Sequence, residues 1–180
     1  MVVRLAKASD PAATSRIAFC GFSLCPWNAF YRPLASKYPQ DVENSHLREQ
    51  QEALGDKTKF FTVLEIQSKA QNAQQVVGFA IWNYAQQQER MTEIVAVDLA
   101  DEKVDPDHFR KGYSTLLCRH GMDVAREDKV PVGVIAAKLG MSLYEHLGYS
   151  CTAKVSIADG RPGEDASVDF RVQKWNPKDY

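Results

Sequence analysis

The residues from Val130 to Ala137 form a nearly unbroken apolar run, and this run limits the fold more than any other feature of the sequence. Such a run is typical of a strand covered on both faces, because a strand with one solvated face alternates apolar and polar residues. The segments on either side of the run have the residue spacing of helices. The sequence therefore predicts a layered α/β fold built around a buried central strand.

Two helices are predicted around this strand. The segment from Ser114 to Asp128 is amphipathic, with Ser114 or Thr115 available to cap its first turn. The segment from Gly140 to Leu147 is a short helix, and Gly148 ends it. The apolar face of the longer helix consists of Leu116, Leu117, Gly121, Val124 and Ala125.

The N-terminal third of the chain predicts a short strand around Val3 and Leu5, followed by helices. Asp10 and Pro11 are the N-cap and first helical residue of a helix that extends to about Phe22. The aromatic stretch from Cys25 to Pro33 is interrupted twice by proline, which predicts a loop or a broken helix. A second helix is predicted from about Glu43 to Leu54, ended by Gly55.

The remaining strands have the β-branched and aromatic composition of sheet segments. The first two form a hairpin, and the last two flank a turn from Gly160 to Gly163. Helices and strands alternate without a linker or a repeat, so the sequence predicts one domain over residues 1–180. The predicted strands are Phe60 to Gln67, Val76 to Tyr84, Ile94 to Leu99, Cys151 to Ile157 and Val168 to Trp175.

Charge and cysteine content narrow the class of partner. The net charge is −1, which gives no electrostatic footprint for nucleic acid or an anionic membrane, so a small-molecule partner is expected. The four cysteines lack CxxC spacing and form no ligand pattern with the four histidines, which argues against zinc and predicts buried free thiols.

The N-terminus has no signal-peptide core, and no apolar stretch is long enough to span a membrane, so the sequence predicts a cytoplasmic protein. The expected oligomeric state is a monomer or a homodimer.

The residues from Arg110 to Thr115 have the composition of an anion-binding turn. Gly112 lies between a predicted strand and a predicted helix, where backbone N–H groups turn toward one point and the helix dipole adds partial positive charge. Arg110 and Lys111 add full charges. A phosphate or diphosphate is the ligand that this turn suits, although a glycine before a helix is also an ordinary turn.

The order of elements around this turn resembles the cofactor half of the GNAT acetyltransferase superfamily. The resemblance in motif covers about Ile94 to Tyr149, and its most specific part is Leu143-Tyr-Glu-His-Leu-Gly-Tyr149, which is similar to the family's Leu-Tyr-Glu-x-Leu-Gly-Phe. The resemblance implies a GNAT-like mixed central sheet of six to seven strands with flanking helices. It also implies acetyl transfer from acetyl-CoA to an amine or hydroxyl, by direct attack in a ternary complex.

The resemblance assigns roles to particular residues. Main-chain amides of Arg110, Lys111, Gly112, Tyr113, Ser114 and Thr115 would bind the diphosphate of acetyl-CoA. Tyr144 matches the tyrosine that is proposed to protonate the departing CoA thiolate, although it is also placed to pack its ring against the sheet.

The acceptor side is less well defined by the sequence. The region between the first two helices usually covers the acceptor in this family, and here it contributes Trp27, Phe30, Tyr31 and Arg32. These rings predict a small apolar or aromatic acceptor, or else a separate apolar cluster. Glu93 and Asp98, at the fourth-strand candidate, are the candidates for a general base, and a solvated surface position is the alternative for both.

Three departures from the family pattern leave two further functions open. Phe109 stands where the family has Gln or Arg, Ser114 stands where it has Gly or Ala, and the segment from Ala100 to Lys103 is too polar for a central strand. Either a loop is inserted after Leu99, or this strand has been rebuilt. The open alternatives are a GNAT-fold enzyme that performs CoA-independent chemistry on a hydrophobic metabolite, such as isomerisation, cyclisation or elimination, and a non-catalytic binding module.

Overall fold

A computed structural model describes residues 1–68, 73–85, 93–96, 103–104, 106–158 and 167–179. Within these ranges the chain forms five α-helices and two short 3-10 helices, which span Pro106–His108 and Pro177–Asp179. The α-helices are α1 Pro11–Ser23, α2 Pro26–Tyr31, α3 Pro39–Gly55, α4 Tyr113–Asp128 and α5 Met141–His146.

The described strands form one mixed sheet with the order β1-β2-β3-β4-β6-β8-β7, and β5 pairs with β3 beside this path. Only β4 and β6 pair in parallel within the described residues, as expected for two strands joined by a helical crossover. The mixed α/β class is confirmed, with seven strands along the main path. The strands are β1 Val2–Leu5, β2 Lys59–Ser68, β3 Ala73–Ala85, β4 Glu93–Ala96, β5 Lys103–Val104, β6 Val132–Ala137, β7 Ser150–Ala158 and β8 Ser167–Trp175.

Helices cover both faces of the sheet because alternate residues of the long strands point in opposite directions. Phe79 and Ile81 of β3 pack with α1 and α3, whereas Ala80 and Trp82 of the same strand pack with α4. The central apolar run contributes Val132, Val134 and Ala136 to the α4 face. The predicted burial of this strand is therefore correct.

The fourth strand of the sequence prediction is interrupted. β4 pairs Val95 with Asn83 of β3, whereas β5 pairs Lys103 with Phe79, and between these two pairings the chain has four more residues than a continuous ladder would hold. The predicted strand from Ile94 to Leu99 is described only as far as Ala96, and residues 97–102 lie outside the described part. The register supports an insertion within this strand.

Two other expectations need correction, and a third is not tested. α3 begins at Pro39, four residues before the predicted start, because proline is favoured at the first helical position even without a side-chain cap. Cys25 and Cys118 are buried thiols as predicted, but Cys20 is half-buried and Cys151 is exposed on the edge strand β7. The predicted turn from Gly160 to Gly163 lies outside the described residues.

The packing of α4 on the sheet predicts the effect of one methyl group. A Cβ atom at Gly121 would lie 2.3 Å from Cζ2 of Trp82, whose ring is buried. Gly121→Ala should therefore lower the free energy of unfolding by about 2 kcal/mol in urea titrations. Helix propensity alone predicts the opposite sign, a gain of about 1 kcal/mol. The sign of the measured change in unfolding free energy therefore shows whether the clash with Trp82 or helix propensity dominates.

Gly55→Ala is the matched control, since nothing lies within 4 Å of a Cβ atom there. The same titration should show no loss, or a gain of about 0.5 kcal/mol. If Gly121→Ala is as stable as Gly55→Ala, Trp82 has moved aside and the close approach is not a constraint.

Candidate active site

A cleft of about 490 Å³ is lined by residues of β5 and β6 and of the elements around them. β6 pairs with β4 through Val132, Gly133 and Val134, and no ladder in the described part of the chain joins β5 to the remainder of β6. Val104 of β5 and Ala137 of β6 both line the opening. The other described lining residues are Gly21, Leu24, Cys25, His108, Phe109, Arg110, Gly112, Tyr113, Ser114, Thr115, Leu139, Gly140, Leu143 and Tyr144.

One wall of the cleft is the turn that leads into α4. Arg110 has φ 60° and Gly112 has φ 77°, so two residues of this turn occupy the left-handed region. Glycine takes this conformation without strain, whereas an arginine there is strained by about 1 kcal/mol. Strain of this kind persists where the surrounding structure fixes the backbone, and it is concentrated at functional sites.

The turn leaves the first amides of α4 without an intrahelical acceptor. Gly112 is the N-cap residue, and its carbonyl oxygen accepts from the N–H of Leu116 at 3.2 Å. No side chain caps the helix, so the expected cap by Ser114 or Thr115 is wrong: both residues lie inside the first turn. The N–H groups of Tyr113, Ser114 and Thr115 are the ones that an α-helix leaves for an external acceptor. Because all three residues line the cleft, an anion is the ligand that fits.

The charges around the cleft also favour an anion. Arg110 and His108 line it, and no carboxylate does so among the described residues. Lys111 is the one residue of the predicted diphosphate-binding set that is absent from the lining; its Nζ donates instead to the main-chain oxygen of Asp107 at 3.2 Å. Of these two basic residues, it is therefore Arg110 and not Lys111 that places a full positive charge at the cleft.

Tyr144, in α5, also lines the cleft. Its side chain is 2% exposed, and its ring meets that of Tyr149 edge to face, with centroids 5.3 Å apart. On the other side Gly140 leaves room for the ring: a Cβ atom at position 140 would lie 3.3 Å from Cε2 of Tyr144. The ring is thus held in one orientation in a cleft wall, which suits a group that must deliver a proton to a fixed point.

Of the residues predicted to bind the acceptor, Phe30, Tyr31 and Arg32 are not among the described residues that line this cleft. Phe30 and Tyr31 pack against each other with centroids 5.3 Å apart. Arg32 lines a second cavity, between α1 and α3, and its Nη2 lies 3.3 Å from Oε1 of Glu49. A hydrogen bond from His46 lowers the pKa of Glu49 below its ordinary value, so Arg32 has an ionised partner at neutral pH. An acceptor role for these residues stays a prediction.

Three predicted residues are beyond the described side chains. Trp27 belongs to α2 and Glu93 begins β4, but the structure describes only their backbone. Asp98 lies outside the described residues. Their roles in acceptor binding and as general base also stay predictions.

The sequence analysis missed the apolar mouth of the cleft. Leu24, Phe109 and Leu139 line it and are 54%, 46% and 69% exposed, respectively. They follow three different elements: α1, the short 3-10 helix before the turn, and β6. In the sequence Phe109 stands out only as a departure from a family pattern, and no local pattern connects it to the other two. Large apolar side chains exposed together at a concavity are typical of a binding surface.

The described part of the chain was also examined by two criteria, namely membrane-spanning helices and metal sites. None of its helices combines the length and the apolar character that crossing a membrane requires. No cluster of three or more His, Cys, Asp or Glu side chains within it has the arrangement of a metal site.

Comparison with known proteins identifies the fold but not a sequence relative. No family model matches the chain, and no curated protein matches it in sequence. Solved structures do match over nearly the full length. A ribosomal-protein-alanine N-acetyltransferase from Brucella melitensis superposes with a TM-score of 0.64 at 19% identity, over 98% of this chain and 99% of that chain.

Two further structures have the same arrangement. A GCN5-related N-acetyltransferase from Rhodopseudomonas palustris matches with a TM-score of 0.61 and 15% identity, over 97% of this chain and 94% of that one. The yncA protein of Salmonella typhimurium, solved with its cofactor acetyl-CoA, matches with a TM-score of 0.64 and 18% identity, over 98% and 94%. The predicted resemblance to the GNAT superfamily is confirmed at the level of the fold.

The two left-handed residues of the turn predict opposite effects on stability. Arg110→Gly should raise the free energy of unfolding by about 0.5 kcal/mol, because relief of the left-handed strain exceeds the entropy cost of glycine. Gly112→Ala should lower it by about 1 kcal/mol through φ alone, since an added Cβ atom meets nothing within 4 Å. Urea unfolding of both variants measures this. A loss in Arg110→Gly would instead mean that the arginine side chain stabilises the turn by more than its backbone costs.

Proposed function

We propose that this chain, which has the fold of the GNAT N-acetyltransferases, transfers an acetyl group from acetyl-CoA to an amine or hydroxyl of a small apolar or aromatic molecule. The observation that carries the proposal is one cleft lined both by the residues of three helix N-terminal amides and by a buried tyrosine. The amides suit the diphosphate of CoA. The tyrosine suits the thiolate that leaves when the thioester is attacked.

Each wall of the cleft has a task in this reaction. The amides of Tyr113, Ser114 and Thr115, together with Arg110, bind the phosphates and fix the thioester in the gap between β5 and β6. The acceptor's nitrogen or oxygen attacks the thioester carbonyl directly. Tyr144 then gives its phenolic proton to the CoA sulfur as the C–S bond breaks, which lowers the free energy of the developing thiolate.

The class of acceptor is proposed from the mouth of the cleft. Leu24, Phe109 and Leu139 offer an apolar surface, and no described lining residue offers a carboxylate to a cationic acceptor. An apolar or aromatic amine or alcohol would remove this surface from water on binding, whereas a polycationic acceptor would find no counter-charge there. Glu93 and Asp98 remain the proposed candidates for the base that removes the acceptor's proton.

The interrupted strand favours a second candidate, which is CoA-independent chemistry in the same cleft. The register between the β4 and β5 pairings contains four more residues than a continuous ladder, and Val104 of β5 lines the cleft where a thioester would be held. An isomerisation, cyclisation or elimination that uses Tyr144 as an acid needs no thioester there. Binding of acetyl-CoA separates the two candidates, and binding without turnover would indicate a binding module.

Acetyl-CoA at a hundredfold excess over its dissociation constant should stabilise the protein by about 2.7 kcal/mol, seen as a rise in melting temperature. Gly112→Asp should abolish the rise, because it places a negative charge where the phosphates bind. Gly112→Ala is the control: it imposes the same backbone strain without the charge, so its own lower melting temperature should still rise with acetyl-CoA. Unchanged melting of the native protein in millimolar acetyl-CoA would exclude the acetyltransferase.

Tyr144→Phe should lower turnover by about two to four decades and leave the dissociation constant of acetyl-CoA nearly unchanged, because only the transition state loses the proton donor. Turnover is followed as release of CoA thiol with a panel of aromatic amines and alcohols. Tyr149→Phe is the matched control, since Tyr149 touches Tyr144 but does not line the cleft. Loss of binding and turnover together would make Tyr144 a packing residue.

A further inference from the structure

The strand β7 forms one edge of the described sheet, and both of its faces are open to solvent. Its residues from Ser150 to Ser156 are all exposed, and Val155 is 41% exposed. An edge strand carries main-chain N–H and C=O groups that point away from the sheet, and these groups can pair with a strand of another chain. Among the described strands β7 pairs with β8 alone, so its outer edge is open to such pairing.

One face of β7 is apolar and continues the apolar surface of β8. Partners in an antiparallel pair point to the same face of a sheet, so each aliphatic residue of β7 lies beside one apolar residue of β8. A strand added at this edge would remove part of this apolar face from water. The pairs on this face are Ala153 with Val172, Val155 with Phe170 and Ile157 with Val168.

The other face of β7 carries a cation and lies beside an anion. Lys154 lies opposite Arg171 of β8, and Ser156 lies opposite Asp169, to which its hydroxyl group donates a hydrogen bond. Arg171 is already paired with Glu145 of α5. Neither Lys154 nor Asp169 forms an ion pair with any residue in the described ranges. Both charges can therefore meet an opposite charge that comes from another chain.

We propose that β7 pairs with β7 of a second copy of this chain, antiparallel and centred on Val155, so that the two sheets become one. A two-fold axis at this position places Val155 against its own copy, Ala153 against Ile157, and Lys154 against Ser156. The apolar face then continues from one sheet into the other. Because no described lining residue of the cleft belongs to β7, this pairing goes beyond the proposed function and does not depend on it.

The charges favour this register. In it, Lys154 of one copy lies across from Ser156 of the other, and Asp169 is the next residue in the same row, on β8 of that copy. Two strand spacings are about 9.6 Å, which an extended lysine and an aspartate span together. An axis at Lys154 would instead align four cations, Lys154 and Arg171 of each copy. Lysine on an edge strand commonly prevents pairing, and here it opposes that second register.

Sedimentation velocity at low ionic strength tests the charge complementarity. The native protein should show a monomer–dimer equilibrium that shifts with concentration, since pairing along one strand buries less area than a permanent dimer does. Lys154→Glu and Asp169→Lys should each raise the dissociation constant about tenfold, because each places two like-charge pairs across the axis. An equimolar mixture of the two variants should recover the dimer, because opposite charges then meet in both pairs.

Lys57→Glu is the matched control for Lys154→Glu. Lys57 is exposed in the turn between α3 and β2, and its replacement changes the net charge by the same amount. This variant should keep the native equilibrium. Thermal melting of each variant checks that it is folded.

Disulfide cross-linking tests the register independently of charge. In a Cys151→Ser background, which removes the exposed thiol of β7, Val155→Cys should form a covalent dimer when oxidised glutathione is added, because the two Cβ atoms face each other about 5 Å apart. Ala153→Cys is the control in the same background. Its two copies are four residues apart along the paired strands, or about 13 Å, which is too far for a disulfide.

The outcomes separate this inference from the proposed function. A native protein that stays monomeric at millimolar concentration would overturn the pairing, and so would a mixture of the two charge variants that stays monomeric. Dimers of native strength in Lys154→Glu, or cross-linking through Ala153→Cys as fast as through Val155→Cys, would contradict the register. Lys154→Glu should bind acetyl-CoA like the native protein. If neither binds it, the proposed function fails and the pairing of β7 stands.

Discussion

Among the described residues, no ladder joins β5 to β6, and the rest of the cleft depends on this separation. A central strand normally satisfies its main-chain groups on both sides, and leaving them unpaired in an apolar interior is costly. In the described part of the chain β5 pairs with β3 and not with β6, and Val104 of β5 and Ala137 of β6 both line the cleft. The helices on both faces hold the sheet together around the cleft. α4 and α5 can therefore place a row of amides and a tyrosine at an opening that the sheet itself leaves.

The sequence predicted the elements that depend on local chemistry. The apolar run before Ala137 predicted a buried strand, and the left-handed requirement of a strand-to-helix turn made Gly112 recognisable. It predicted helix caps less well, because Ser114 and Thr115 are good capping residues in isolation, whereas the fold places the N-cap at Gly112. The polar composition after Leu99 indicated that the fourth strand is interrupted. The size of the insertion emerged only from the pairing of Lys103 with Phe79.

Features that depend on distant parts of the chain could not be predicted in the same way. Leu24, Phe109 and Leu139 are separated by long stretches of sequence, and each is an unremarkable surface leucine or phenylalanine in its own segment. The aromatic stretch around Phe30 and Tyr31 predicted an acceptor site because its residues are adjacent in sequence, yet these two rings pack edge to face and do not line the cleft. Proximity in sequence is a poor guide to a site that a sheet and two helix termini assemble.

The apolar mouth has a consequence for how such a protein diversifies. Its three side chains are exposed and follow three separate elements, so replacing any one of them leaves the buried core and the strained turn untouched. Surface substitutions of this kind usually change stability by less than about 0.5 kcal/mol. Under the proposed acetyl transfer, new acceptors can therefore be selected at the rim one residue at a time, while the residues proposed for the donor are inherited unchanged.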